Sequence, residues 1–205
     1  MLKEYSQNLS KAIDTIDQKL IDLLFNEIKS RINKNSSIHL LGNGGSAANA
    51  SHIAGDYIKT ISLMNRKLNI ICHTDNPCYL TAVSNDLEYS EVFSSKVGNF
   101  IDKEDFIIYL SGSGNSLNLV KCAKKASKLG IQQASITAYN GGSLKDLTDI
   151  PIHVNYNDME IAEDIQLIIF HYLKQKLIGE LESENPDINQ SMPKYSKRVI
   201  ENLIA

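Results

Sequence analysis

The chain has no tryptophan, only four prolines and only three cysteines in 205 residues. Cys72, Cys78 and Cys122 are odd in number and lack C-x-x-C spacing, which excludes a disulfide framework and a cysteine-based zinc site. They read as buried thiols, and a reduced cytoplasmic setting is expected. No stretch approaches the length of a membrane span, and Met1-Leu2-Lys3-Glu4-Tyr5-Ser6 lacks the apolar core of a signal peptide. A formal net charge of −3 without an overriding basic cluster argues against nucleic-acid binding. The most basic stretch, Lys121 to Lys128, is spaced like the solvated face of a helix. Apolar residues make up 42% and charged residues 22%, the balance of a soluble globular protein, and the length suits one domain with a well-buried core.

Against that plain background two segments stand out. Ser36-Ser37-Ile38-His39-Leu40-Leu41 reads as a buried strand, Gly42-Asn43-Gly44-Gly45-Ser46 as a turn, and Ala47 to Ala54 as a helix start. The pattern repeats at Ile107-Ile108-Tyr109-Leu110, Ser111-Gly112-Ser113-Gly114-Asn115-Ser116, and Leu117 to Ala126. Glycine permits the tight turn, and a helix start offers free N–H groups and the positive end of the dipole. Such junctions attract phosphate. Each alone also fits an ordinary strand-to-helix connection; the pair suggests a phosphorylated substrate held from two sides. Neither turn is a nucleotide loop of the usual kinds, because Ala47 stands where the lysine of one motif and the last glycine of the other are required.

Residues 1 to about 33 carry Leu9, Ile13, Ile16, Leu20, Leu23, Leu24 and Ile28 at helical spacing, predicting one long or two short helices. Strands are predicted at 37–41, 68–72, 106–110, 132–137 and 150–154. Helices are predicted at 46–62, 77–84, 88–98, 115–129, 142–147 and 159–178. This alternation implies an α/β fold with a parallel sheet covered on both faces and ligands beyond the strands' carboxyl ends. The expected organisation is a single domain over 1–205: N-terminal helices at 1–33, an α/β core at 36–178, and a more polar extension at 179–205. Within that extension Ser196 to Ile204 reads as a short helix or an arm.

The ionisable residues leave alternatives open. His52 and Asp56 are four apart, on one face of the helix after the first turn. Such a pair is half of a metal site, a proton-transfer pair, or a surface pair that holds nothing. Glu160, Glu163, Asp164 and His171 fall on or just before the helix at 159–178. His171 lies in an apolar run that equally suits a hydrogen-bonded core histidine. Eight residues, roughly 12 Å along an ideal helix, separate Glu163 from His171, so spacing alone does not make them share an ion.

These motifs, in this order and spacing, resemble the sugar isomerase (SIS) domain family and, within it, the phosphoheptose isomerases. The carriers are Gly42 to Ala48, His52 with Asp56, Thr81-Ala82-Val83-Ser84-Asn85-Asp86, Ser111 to Ser116, and Thr137-Ala138-Tyr139-Asn140-Gly141-Gly142. The resemblance reaches to about residue 178. It implies a three-layer, flavodoxin-like fold with a five-stranded parallel sheet and N-terminal helices. It implies substrate contacts from Asn43, Gly44, Ser46, Asp86, Ser111, Ser113, Ser116 and Glu163. It implies one Zn2+ per subunit held by His52, Asp56, Glu163 and His171, with Asp56 and His171 as the acid/base pair. The implied reaction converts sedoheptulose 7-phosphate to D-glycero-D-manno-heptose 7-phosphate through an enediol, supplying heptose for surface polysaccharide such as lipopolysaccharide or capsule. The implied assembly is a cytoplasmic homotetramer with active sites shared between subunits, and no nucleic-acid or membrane partner.

The chain departs from the familiar pattern in having Asp56 in place of glutamate and Glu163 in place of glutamine, with Ile161 and Gln166 at an arginine and a histidine position. Asn157-x-Met159, Glu163-Asp164 and Asp56 with Lys59 resemble a distinct branch in which Asp56 and Glu163 compensate each other. Two other readings stand beside the isomerase. One is a catalytically silent SIS protein that binds a protein partner or senses a sugar phosphate, as in relatives with an Ala-Ala-Asn-Ala segment like Ala47 to Ala50. Those relatives lack the acidic residue and the late histidine that this chain has in Asp56 and His171. The other is an isomerase of a different phosphosugar.

Overall fold

One run of consecutive apolar residues, Phe106 to Leu110, and two mixed runs that are buried all the same make the centre of the sheet. In the computed structural model, which describes residues 1–184, β1 (Ser37–Gly42), β3 (Phe106–Ser111) and β4 (Gln132–Thr137) are buried on both faces almost throughout. The edge strands β2 (Asn69–Cys72) and β5 (Ile150–His153) alternate between buried and half-buried residues, as edges with one covered face do. All pairings are parallel, in the order β2-β1-β3-β4-β5. The chain therefore winds outward from β1 to β2, then returns to lay down β3, β4 and β5 on the other side. The reversal lies between β1 and β3, and the crevice beyond their carboxyl ends is where such sheets bind ligands.

Helices cover both faces. On one, α2 (Gln18–Ser30), α3 (Gly44–Leu63) and α7 (Met159–Glu184) pack on Ile38, Leu40, Phe106, Ile108 and Leu110, with α1 (Leu2–Ile13) alongside α7. On the other, α5 (Leu117–Lys128), α6 (Gly142–Leu147) and the segment from Val92 to Ile101 pack on Leu41, Ile107 and Tyr109. Alternation along β1 thus sends Leu40 to the first face and Leu41, with His39, to the second. Burying each such side chain contributes about 1.5–3 kcal/mol, which is why the register of the central strands is fixed.

The predicted strands are all present, and the N-terminal region resolves into two helices. Two expectations are corrected. A helix at 88–98 is absent; the segment forms two 3₁₀ turns, Tyr89–Glu91 and Ser94–Lys96, after α4 (Pro77–Asp86). Here Ser90 and Ser94 donate to the carboxylates of Glu88 and Glu91, while Lys121 and Lys125 of α5 reach across to Glu91 and the Ser94 carbonyl. Local polar bonds of this kind compete with continuous helix. The last predicted helix runs through Glu184 rather than ending near 178, since Gly179 is tolerated on its exposed side. The helix or arm expected at Ser196 to Ile204 lies outside the described residues.

Candidate active site

Both glycine- and serine-rich turns arrive at the crevice between β1 and β3. In the first, Asn43 is extended and Gly44 takes a φ of +55°, a left-handed conformation that costs glycine little. In the second, Gly114 has a φ of +64°, and a side chain there would collide with the Gly141 carbonyl. Two helix starts therefore meet, α3 of 20 residues and α5 of 12. Their first-turn N–H groups lack intrahelical acceptors and, with the dipoles, favour an anion. Between them lies a cavity of about 310 Å³, reached by Ser46, Ser111, Ser113, Ser116, Met159 and Glu163.

Side-chain bonds fix this geometry. Asn43 and Asn118 exchange amide hydrogen bonds at 3.0 and 2.9 Å, tying the first turn to the start of α5, and Tyr89 donates to the Asn43 oxygen at 2.7 Å. The Ser46 hydroxyl accepts from Gln166 Nε2 at 3.1 Å, and Gln166 Oε1 accepts from Asn49 at 3.0 Å, which locks α3 against α7. Ser111 Oγ accepts from the Gly114 N–H at 3.1 Å, and Ser113 Oγ from the Asn115 N–H at 3.3 Å. Among the described residues the Ser113 hydroxyl donates no hydrogen bond, and the Ser116 side chain makes no capping bond to α5. The Glu163 carboxylate stands directly over Gly45, where any side chain would overlap it.

Further along the same two helices, His52 and Asp56 of α3 face His171 of α7. One ligand atom from each lies within 4.8 Å of the others, a group able to hold a metal ion. His52 Nε2 and His171 Nε2 are 3.2 Å apart with the rings edge to face at 85°. Two imidazoles bound to one tetrahedral ion at about 2.0–2.1 Å place their nitrogens about 3.3 Å apart, so the pair has the spacing of a ligand set. The donor types, two imidazoles and a carboxylate with an open side, also fit. Asp56 is shared, however: Lys174 bonds Oδ2, and Lys59 lies 3.1 Å from Oδ1. Burial alone would push the Asp56 carboxyl up, but the bonds and charges of Lys174 and Lys59 outweigh it and hold the group below its ordinary range. The neighbours of these residues keep the helices in register. Tyr57 donates to the Phe170 carbonyl at 2.8 Å, and the two rings meet edge to face at 6.0 Å.

The match to known sequences agrees with this architecture. The SIS domain model matches residues 2–138. The phosphoheptose isomerase of Crocosphaera subtropica is 37% identical over 142 residues, covering 69% of this chain and 72% of that protein. The chain belongs to the SIS domain family, in its phosphoheptose isomerase branch. The Helicobacter pylori phosphoheptose isomerase is 31% identical over 172 residues, 82% of this chain and 88% of that one. A phosphoheptose isomerase structure from Francisella tularensis superposes with a TM-score of 0.76 over 87% of this chain and 94% of that chain, at 19% identity.

Within this SIS domain the expected site residues fall into two groups. Asn43, Gly44, Ser46, Ser111, Ser113, Ser116 and Glu163 line the cavity between the turns; His52, Asp56 and His171 form the cluster able to hold a metal ion. Glu163, expected also as a metal ligand, does not join that cluster. Eight residues of helix separate it from His171, and its carboxylate is placed over Gly45 instead. Asp86 does not line the cavity either. It ends α4, exposed, and accepts from Asn85 at 2.9 Å. Asp164 points away from the site and accepts from Tyr5 at 2.7 Å. Asn118, Tyr89, Gln166, Asn49 and Lys174 belong to the arrangement but were not singled out as site residues. Lys174 alone left a legible signal, lying three residues beyond His171 on the same helix face.

Proposed function

We propose that the chain is an aldose–ketose isomerase that converts sedoheptulose 7-phosphate to D-glycero-D-manno-heptose 7-phosphate, a heptose precursor for surface polysaccharide. What supports this reading is that one helix, α3, opens at the cavity it shares with the start of α5 and, farther along, carries His52 and Asp56 facing His171 of α7, a fixed distance away. A rise of 1.5 Å per residue puts His52 about 9 Å and Asp56 about 15 Å along α3 from Ser46. That separation suits a substrate whose reacting carbons are several bonds from its phosphate. The presence of both Asp56 and His171 favours an enzyme over a silent binding protein.

In this reading the phosphate sits at the starts of α3 and α5, with hydrogen bonds from Ser113 and Ser116. The Asp56 carboxylate moves the proton between C1 and C2, kept ionised by Lys174 and Lys59. His171 exchanges protons with the two oxygens, and His52 packs edge to face against it, fixing its ring. Zn2+ held by His52, Asp56 and His171 would, when bound, supply stabilisation of the negative charge on the enediol oxygens. Glu163, in the place of a neutral glutamine, puts a carboxylate beside the phosphate cavity and tunes which phosphosugar is accepted. The family resemblance carries with it a single SIS domain over 1–205 and a cytoplasmic homotetramer. An apolar groove lined by Ile13, Ile16, Ile21, Ile168 and Tyr172, next to His171, supports a subunit contact there.

The test is incubation of purified protein with sedoheptulose 7-phosphate, with and without added zinc, followed by NMR of the C1 and C2 signals. An aldoheptose 7-phosphate is expected. Binding without conversion in both conditions would replace this reading by an isomerase of a different phosphosugar or by the silent sugar-phosphate sensor.

A further inference from the structure

A second polar constellation lies on the other face of the sheet and shares no lining residue with the cavity described above. His39, in the middle of β1, and His73, just past β2, are each 1% exposed. His39 Nδ1 and His73 Nε2 are 2.8 Å apart, His73 Nδ1 is 2.9 Å from the Lys96 amine, and His39 Nε2 is 3.2 Å from Asp105 Oδ2 in a close but poorly aligned contact. Asp105 is itself held by the N–H groups of Ser37 and Asp102 at 2.7 and 2.8 Å.

The proton positions in this row follow from its ends. An ammonium can only donate, so His73 Nδ1 accepts from Lys96 and His73 Nε2 carries the hydrogen. His39 Nδ1 therefore accepts, and its Nε2–H faces the Asp105 carboxylate. Both imidazoles are neutral in this arrangement. Burial drives the His73 imidazole down to about 2, with the Lys96 charge adding to it, and burial likewise lowers His39.

Lys96 ends the row at a cavity of about 380 Å³. Its amine is 4.1 Å from the centre of the Tyr79 ring, and among the described residues no carboxylate pairs with it. The Phe100 ring forms another wall, edge-on to both histidines at 5.9 Å. The start of α4 also borders the cavity, but Asn76 already caps it by accepting from the Tyr79 N–H at 3.0 Å. The recess thus offers one cation and two aromatic walls, beside the Ser95 hydroxyl, which already bonds the Tyr79 hydroxyl at 2.6 Å, and the neutral amide of Asn99.

We propose that this recess is a second ligand site, for a small organic carboxylate whose charge meets Lys96 and whose body lies against Tyr79 and Phe100. The single cation decides the class. One ammonium with neutral imidazoles behind it balances one negative charge, whereas a phosphate with close to two charges needs further donors of the kind found at the turns after β1 and β3. The Asp105–His39–His73 row fixes the amine against the wall of the recess, so little side-chain freedom is lost on binding. The site stands independently of the proposed isomerase activity.

The test titrates the full-length protein, labelled with 15N at histidine, with D-glycerate as probe and inorganic phosphate as comparator. Saturable shifts of the His73 ring nitrogens with glycerate are expected, along with contacts from the glycerate C2 proton to the Tyr79 or Phe100 ring in the unmutated protein. Lys96→Gln should weaken glycerate binding by at least about tenfold, the loss of one charged hydrogen bond. No shift at tens of millimolar glycerate would overturn the proposal, and so would ring contacts elsewhere. Phosphate displacing glycerate at equal concentration would overturn the choice of carboxylate. The ring contacts are read in the native chain, so the outcome does not depend on whether the variant folds.

Discussion

Two histidine pairs divide this protein. His52 and His171 meet across helices α3 and α7 with the same nitrogen from each ring, 3.2 Å apart and open to solvent. His39 and His73 meet across strands on the opposite face with unlike nitrogens, 2.8 Å apart and sealed from water. In the buried pair every hydrogen has an assigned direction, from Lys96 to Asp105, and both rings stay neutral. In the exposed pair two Nε2 atoms face one another beside the Asp56 carboxylate, so a proton or a metal ion between them satisfies both. The same residue type, at almost the same separation, is able to hold a metal ion in one place and forms a buried support in the other. Which nitrogens meet, and what stands behind them, makes the difference.

The sharpest way to break the comparison is to remove the exposed group. Asp56→Asn or His171→Ala should lower turnover of the phosphosugar by about 10²–10⁴ while thermal melting still shows a folded protein. Turnover near the unmutated rate in both would remove the acid/base assignment.

The buried pair should reveal itself in stability against pH. His73 is held far below 6.5 in the folded chain but titrates normally when unfolded, so its contribution is present above about pH 6.5 and declines as the pH falls toward about 2. Urea melts at pH 7 and pH 5 should differ by about 2 kcal/mol on account of His73, and the difference should shrink in His73→Gln. The same pH dependence in His73→Gln as in the unmutated protein would mean that His73 does not stay neutral through burial in the folded state.

Smaller effects concern the anion cavity. Ser113→Ala with Ser116→Ala should raise KM for the phosphosugar about tenfold with little change in kcat, the loss of two modest hydrogen bonds. An unchanged KM would move the phosphate away from the second turn. Glu163→Gln, which withdraws a carboxylate from the same cavity, should lower KM by about two- to fivefold. A rise in KM would instead show Glu163 gripping the sugar.

Much of this was legible along the chain. The apolar run of β3, the alternation of strand and helix signals and the glycine turns that follow β1 and β3 are local signals, and they give strands, helices and the cavity between the turns in nearly the observed places. The segment 88–98 misled because its apolar spacing is helical while its serines and glutamates bond locally and to lysines of α5. The motif of Asp86 implies a sugar contact, yet its place at the exposed end of α4 depends on how that helix packs. The Asn43–Asn118 pair leaves little trace, and of Lys174 only its place on the His171 face of the helix shows, since contacts over some seventy or more than a hundred positions have no periodicity to betray them.

The sequence by itself determined the parallel α/β sheet, the two glycine- and serine-rich turns at helix starts and the family, because hydrophobic period, glycine placement and helix-start chemistry act over a few residues. Only the tertiary structure decided that Glu163 turns to Gly45 rather than to His171, that Lys174 holds Asp56, and that His39 and His73 join Lys96 to Asp105. Those contacts are made between elements distant in sequence, and their geometry is set by how helices and strands pack on the two faces of the sheet.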